Sequence, residues 1–572
     1  MTVSVVEVLI SIPGMILLVY RSCLLISKLG ELGQKVRIDA RAKSKWGFIL
    51  PFVFVWGACF LVFLNMYPGT LSCDTPGQLS QAVELSGFNN LNPLINTLAI
   101  TLCVQIGMSI GTVNTGIAIY TFIQFTMYAV VSAYTVYVFY KKGFHTVLLI
   151  LITGYFAWPI NLVYATGMWK DTFFAILFLL TLSYCYVHIE DEDLKISSFI
   201  ILGFLSFVSS LARNSGWSSL GVGAVFLIVY GSREKCERRK NTALKVGLAQ
   251  FIGVLTACFF IAVIYPLAGA SNAFDTITKS VPLQQISRAV IDNELSADEI
   301  ADIKYFGKSD QVVDEISDYY APGLVDGVRG LFNGNTIKEN SGKFNLLWLE
   351  LGLHYPVSYV HAFIDHTAGY WWPDAGSWLV DNRIFDNNYG VERTSNFIPG
   401  KDLAMGLYRI LTYIPKLNLL SNSGFTFWMI LLCIYICHMH RNKVGALLNV
   451  PIIMIYIGLL PISYGALFRY TYAAVLSMPM LLGYMFIEPS FIAEEKKDRK
   501  TDWTEYYQHK KSFFSIYTQR FTLKKILDCI NQSIGNNCNS SSIMELGGGN
   551  SCFAKKICDQ QKISNYDLKL RT

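Results

Sequence analysis

Four short stretches carry ionisable side chains at the ends of long apolar runs, where a charge is costly to keep. Asp74 closes Tyr67-Pro68-Gly69-Thr70-Leu71-Ser72-Cys73-Asp74, and Lys170 and Asp171 follow Trp169. Arg213 and Asn214 lie between two apolar runs, and Arg469 and Tyr470 follow Leu467-Phe468. Two acids, one lysine and two arginines gathered on one face would supply a general base for a hydroxyl proton and cationic holders for a phosphate group. The plainer explanation for any one of them is a charge reaching from a span end to the interface. A fifth stretch, Gly369-Tyr370-Trp371-Trp372-Pro373-Asp374, offers Trp371 and Trp372 as a stacking face and Asp374 as a hydrogen-bond acceptor for a sugar, or else an interfacial aromatic anchor. Ser296 and Glu299 have capping-box spacing and are expected to start a helix.

The elements that must position these groups are apolar. Of 572 residues, 52% are hydrophobic and only 15% charged, against roughly 25% charged in soluble domains. Runs of roughly 17 to 25 apolar residues are long enough to cross a bilayer. They occur at about 47–66, 116–140, 146–165, 171–188, 196–212, 217–231, 246–266, 422–439, 444–462 and 467–487, with a weaker one at 3–27 that contains Glu7 and Arg21. The expected fold is therefore an α-helical polytopic membrane protein with about 10–11 transmembrane helices. Most of the thirteen cysteines fall inside apolar runs or in the tail, which argues against a disulfide framework.

Lysine and arginine collect on the cytoplasmic side of a membrane. They are dense between residues 28 and 45 and again between 233 and 245, and absent from 67–115. That places 67–115 outside, provided the apolar stretch 94–112 lies on the outer surface rather than spanning. The domain order that follows is an anchor and basic loop (1–45) and a transmembrane core (46–266) with its first outer loop at 67–115. After these come an extracytoplasmic, mostly helical domain (267–421), the last transmembrane helices (422–487), a charged linker (488–511) and a cytoplasmic tail (512–572). A multi-pass plasma-membrane protein is expected. Its net charge of +6 is modest, and no nucleic-acid partner is expected.

The order of these features resembles the GT-C class of membrane glycosyltransferases. The stretches YPGTLSCDTPGQL, NPLINTL, MWKDTFFAILF, LARNSGW, VPLQQISR, GYWWPD and FRYTYAAVLSMP resemble an uncharacterised family of bacterial multispan proteins over roughly residues 45–487. The GT-C resemblance implies a first-loop acid acting as base on the acceptor hydroxyl, here Asp74, with Asp171 beside it. It also implies that Lys170, Arg213 and Arg469, with Asn214 and Tyr470, hold the phosphate of a polyprenyl-phosphate-linked sugar. A divalent cation, Mg or Mn, near Asp74 and Asp171 would be compatible, although no ligand cluster demands one.

The tail carries Ile543-Met544-Glu545-Leu546-Gly547-Gly548-Gly549 followed by a helical pattern, with Asp567 22 positions after Glu545. A strand, a glycine turn and a helix let a cofactor approach the backbone closely. The pattern resembles the first motif of class I S-adenosylmethionine-dependent methyltransferases. There Glu545, Gly547 and Gly549 would flank the methionine moiety and Asp567 would hold the ribose. About 60 residues are too few for a complete core of that class, so a truncated α/β Rossmann-like segment is expected, binding S-adenosylmethionine only if completed. The functions to weigh are a glycosyltransferase, a lipid-linked-glycan flippase or transporter, and a membrane anchor for a methyltransferase. A transporter should show paired repeats or broken helices with polar groups near the midplane, whereas the polar groups here cluster at one face.

Overall fold

The computed structural model describes residues 44–487, apart from 73, 192, 214–215, 235, 271–275, 374, 376–382, 395–405, 407–417 and 486, together with some positions between 6 and 21. Asn214, Asp374, Glu545, Gly547, Gly549 and Asp567 lie outside the described residues, as does the whole tail. Within the described residues there is no sheet, only isolated bridges, and no Rossmann-like segment.

Every apolar run expected after residue 45 is helical. Helix α1 (Trp46–Met66) leads into a first loop with α2 (Thr75–Glu84) and α3 (Leu94–Ile110). Then come α4 (Val113–Lys141), α5 (Thr146–Phe156), α6 (Pro159–Ala165), α7 (Lys170–His188), α8 (Ile196–Leu211) and α9 (Gly216–Arg233). Helix α10 (Glu237–Phe259) continues through one π turn to Leu267. Four stretches are long and apolar enough to cross a membrane: α1, α4, α7 and Arg239–Leu267. The bent pair α5–α6 makes a fifth, so the chain is an α-helical membrane protein with four to five such segments among the described residues. The count is lower than the ten to eleven spans expected because several runs are short or interrupted.

The interruptions have local causes. The run at 146–165 bends by 52° between α5 and α6, where Pro159 lacks the N–H that would continue the helix. The freed carbonyls are satisfied by side chains: Asn161 Nδ2 donates to Tyr155 O at 2.8 Å and Tyr128 OH to Phe156 O at 2.6 Å. A membrane interior tolerates a broken helix only on such terms. The run at 467–487 likewise splits into α21 (Phe468–Leu476) and α22 (Met478–Met485) next to Pro479, and the run at 444–462 into α19 (Lys443–Leu448) and α20 (Val450–Leu459) next to Pro451.

Helix α7 is the most enclosed of the candidate spans. It packs against α4, α8 and α21, with Phe174, Phe178 and Leu179 buried. Hydroxyl pairs fix its neighbours laterally, Thr181 to Ser209 and Ser183 to Thr135, each at 2.9 Å. Helix α3 meets α4 with backbones in contact: a Cβ on Gly107 would stand 2.1 Å from Gly116 N, and one on Gly116 would stand 2.5 Å from Val104 Cα.

A second helical cluster follows α10. It comprises α11 (Ser280–Asp292), α12 (Ala297–Phe306), α13 (Val312–Tyr319), α14 (Asp326–Leu331), α15 (Gly334–Glu339), α16 (Ser341–His354) and α17 (Pro356–Trp371). Ser296 and Glu299 cap α12 reciprocally, as their spacing suggests. Leu283, Ile286, Phe306, Ile316, Phe344 and Leu351 form a core of its own. Helix α17 leaves this cluster and packs against α18 (Ser423–Met439) of the bundle.

The α3–α4 contact gives a direct test. Gly116→Ala should destabilise the protein by about 1–3 kcal/mol, the usual cost of overpacking, whereas Gly154→Ala, with nothing within 4 Å of its added Cβ, should not. The readout is melting temperature in detergent; equal melting of the two variants would contradict the close approach.

Candidate functional site

Helix α7 places two charges at its start. Successive helical residues point about 100° apart, so Lys170 reaches outward while Asp171, 1% exposed, turns into the bundle. Asp74 arrives from the first loop, as the residue before α2. That loop is held to the start of α7 at several points. Thr75 Oγ1 donates to Met168 O at 2.9 Å, Trp169 Nε1 to Ser72 Oγ at 3.2 Å, and Thr70 pairs with Gly167 as a parallel bridge. Gly69 sits at φ +138°, and a Cβ there would stand 2.5 Å from Thr121 Oγ1. Only glycine suits that turn.

Arginines complete the group from two further segments. Arg469 Nη1 is 3.0 Å from Asp74 Oδ2 and 4.0 Å from Asp171 Oδ2, and Lys170 Nζ is 2.9 Å from the same Asp74 oxygen. Arg213 Nη1 stands 3.4 Å from Asp171 Oδ1 and donates to the Tyr470 carbonyl at 2.9 Å. The Tyr470 ring lies between the two guanidinium groups, 5.4 Å from Arg213 and 4.9 Å from Arg469, and its hydroxyl accepts from Arg469 Nη2 at 3.2 Å. Thus Asp74, Lys170, Asp171, Arg213, Arg469 and Tyr470 form one connected cluster, drawn from four segments nearly 400 residues apart.

Its electrostatics are uneven. Burial alone would push the Asp74 carboxyl up, but Lys170 and Arg469 outweigh that and hold it well below the usual carboxylate range. Asp74 remains 36% exposed, the most accessible acid of the group, so it faces whatever enters. Neither oxygen of Asp171 makes a hydrogen bond among the described residues; it answers the guanidinium charges electrostatically from below. Three cations against two carboxylates leave one positive charge. A divalent metal does not fit this set, because both acids already face cations and no third acid, histidine or cysteine joins them among the described residues.

Three features were not legible in the sequence as site components. Asn92 accepts a hydrogen bond from Lys170 Nζ. A buried amide chain underlies the first loop: Gln78 Nε2 donates to Asn96 Oδ1 at 3.0 Å and Asn96 Nδ2 to Tyr120 OH at 2.7 Å. From there Tyr120 OH donates to Gln124 Oε1 at 3.1 Å, and Gln124 Nε2 to Gly167 O at 2.6 Å. The third is the clamp on the segment before Arg469: His366 Nε2 lies 2.7 Å from Ser463 O, Ser463 Oγ donates to Tyr370 OH at 3.0 Å, and Val325 N donates to Tyr464 O at 3.1 Å. Polar residues within apolar runs were the available signal.

Trp371 and Trp372 lie half-buried where α17 meets α18. The Trp371 indole donates to Thr367 Oγ1 at 3.1 Å and its carbonyl accepts from Trp428 Nε1 at 2.8 Å, the packing of an anchor more than of an open stacking face. Beside Arg213 a narrow cleft runs between α9 and α20, lined by Phe174, Ser219, Met454, Ile455 and Leu459.

A family model described as a family of unknown function (DUF6020) matches residues 84–503, and the chain belongs to that family. No curated protein and no solved structure matches the chain.

The buried half of the cluster has a stability consequence. Arg213→Met leaves Asp171 undercompensated and should cost about 3–5 kcal/mol, as breaking buried pairs does. Combining it with Asp171→Leu should recover most of the loss. Melting in detergent decides the matter: a double variant no more stable than the single one would show that the pair is not coupled.

Proposed function

We propose that this protein is a membrane glycosyltransferase that moves a sugar from a polyprenyl-phosphate donor to an acceptor hydroxyl at the outer face of the plasma membrane. The observation that supports it is the Asp74 carboxylate, exposed at the rim of a cluster whose three cations exceed its acids by one. A sugar-linked phosphate supplies the missing negative charge, and Lys170, Arg213 and Arg469 offer the donors it needs.

The chemistry assigned is an inverting transfer. The acceptor oxygen forms a bond to the anomeric carbon as the bond from that carbon to the phosphate oxygen breaks. Asp74 takes the acceptor's proton, the polyprenyl phosphate leaves with the bonding electron pair, and the cations stabilise the charge growing on it. In the resting cluster Asp74 is a weak base, because two cations hold its charge. Donor phosphate competes for Lys170 and Arg469, and Asp74 regains basicity as they turn to it. No step is assigned to a metal.

Two measurements test this. Asp74→Asn should reduce sugar transfer by about 10²- to 10⁴-fold, the usual worth of a general base, while the protein still inserts and purifies normally. Unchanged lipid-linked sugars and surface glycans in cells carrying the variant would refute the assignment. Lys170→Met removes the foremost charge lowering the Asp74 pKa while burial still raises it. The acid limb of the kcat/KM profile should therefore move to higher pH; an unmoved limb would mean that Asp74 is not the group titrating.

A further inference from the structure

Helix α16 is apolar on two opposite sides. Phe344, Leu347 and Leu351 point into the core of the helical cluster, at no more than 4% exposure. On the other side Leu346, Leu349 and Leu353 stand 60%, 53% and 72% exposed, and the row continues onto α17 with Val357 and Val360 at 66% and 50%. Spacings of three and four residues put Leu346, Leu349 and Leu353 on one face of α16, and Val357 and Val360 on one face of α17, which begins two residues after α16 ends. Lipid-facing residues of the spanning helix α1 show the same exposure, for example Leu50 and Val53 at 62% and 58%. A contiguous aliphatic row of this length on a water-facing surface marks an interaction site.

We infer that this row rests in the surface of the lipid bilayer, so that α16 and the start of α17 form an interfacial foot for the helical cluster. Three observations favour lipid over a protein partner. The row is continuous with the bundle: α17 carries it through the half-buried Phe363 and Ile364 to Trp371, which packs on the bundle core next to α18. Its composition is leucine and valine, without the exposed aromatic or arginine anchors that characterise protein interfaces. A lysine flanks it as lysines flank interfacial helices: Lys279 Nζ donates to Asn345 Oδ1 at 2.8 Å, next to Leu346, while Lys343 on the same helix pairs with Asp302 at 3.0 Å. The Lys279 ammonium group would meet anionic headgroups while the leucines enter the acyl boundary.

The foot rests on the membrane assignment alone and not on the glycosyltransferase proposal, so either can fail without the other. It has a mechanical consequence. His366 and Tyr370, further along α17, hold Ser463 and Gly465, so seating the row on lipid fixes the height of the segment that carries Arg469.

The test uses the full chain in vesicles of phosphatidylcholine and phosphatidylglycerol, with p-benzoylphenylalanine replacing Leu349, Leu353 or Val357 in turn, and replacing the exposed Asp318 of α13 as control. These side chains are exposed, so replacing them should leave folding intact, checked as a single monodisperse species before reconstitution. Irradiation should yield lipid adducts in the intact mass at the three row positions and not at Asp318. A covalent dimer of this chain at those positions would assign the row to a second copy, and absence of any lipid adduct would assign it to water. Either result overturns the inference.

Discussion

Arg469 holds one carboxylate at the surface of the cluster and faces another beneath it, and the rest of the arrangement depends on that placement. Apolar helices in lipid have little to tell them which neighbour to choose, since hydrocarbon is as good a partner as leucine. A charge inside such a bundle chooses sharply, because an unpaired ion there is costly. Asp74, Lys170, Asp171, Arg213 and Arg469 therefore act as an address shared by four segments. The first loop, the start of α7, the turn after α8 and the start of α21 are drawn to one point because there each of the five charges faces one of opposite sign. The same reasoning explains the uncharged layer below: Gln78, Asn96, Tyr120 and Gln124 satisfy one another in series, and Gln124 ends on the backbone beside α7.

The helical cluster contributes by constraint. It has a separate core, yet it grips the segment 463–467 from two sides: the 321–325 loop pairs with Gly465 and Tyr464, while His366 and Tyr370 of α17 hold Ser463 and Gly465. Four residues after Gly465, Arg469 enters the charged cluster. A side chain with a planar fork has to be aimed, and aiming it from a rigid support preserves its geometry better than leaving it on a free loop. The grip also links two parts of the chain with separate cores, in addition to the packing of α17 on α18.

The helices and the charged residues were legible in the sequence because both arise from local facts. An apolar run of sufficient length is helical in lipid, and a charge beside such a run stands out against its surroundings. What the sequence left open was relational. It grouped Asp171 with Asp74 as acids of one kind, but one residue of helical rotation past Lys170 turns Asp171 inward beneath the arginines, while Asp74 reaches the rim from the first loop. It offered Trp371 and Trp372 as a stacking face, whereas Trp428 and Thr367 engage Trp371 in packing. The ten to eleven runs expected include helices of 17 residues or fewer, such as Ile196–Leu211 and Ser423–Met439, and the run split beside Pro479, because hydropathy sums over a window and registers neither helix ends nor a missing N–H. Asn92 opens the NPLINTL stretch, which carries a resemblance but no charge to mark a site; only the fold shows it beside Lys170.

The uneven burial of the two acids bears on why both are present. A lone carboxylate beneath three cations would be neutralised entirely, and none of its basicity would remain for chemistry. Asp171, enclosed and without a hydrogen bond among the described residues, absorbs part of the arginine charge permanently, which leaves Asp74 answered chiefly by Lys170 and by one nitrogen of Arg469. Lys170 is a point charge on a flexible stem, whereas Arg213 and Arg469 are held by the Tyr470 carbonyl, ring and hydroxyl. The accessible acid is thus answered by Lys170 and Arg469 together, whereas Arg213 answers the buried one and Arg469 reaches it only at 4.0 Å. Arg213 and Arg469 keep their places because Tyr470 holds both and Asp171 lies beneath them, whereas Lys170 is held from its tip alone, by Asp74 and Asn92.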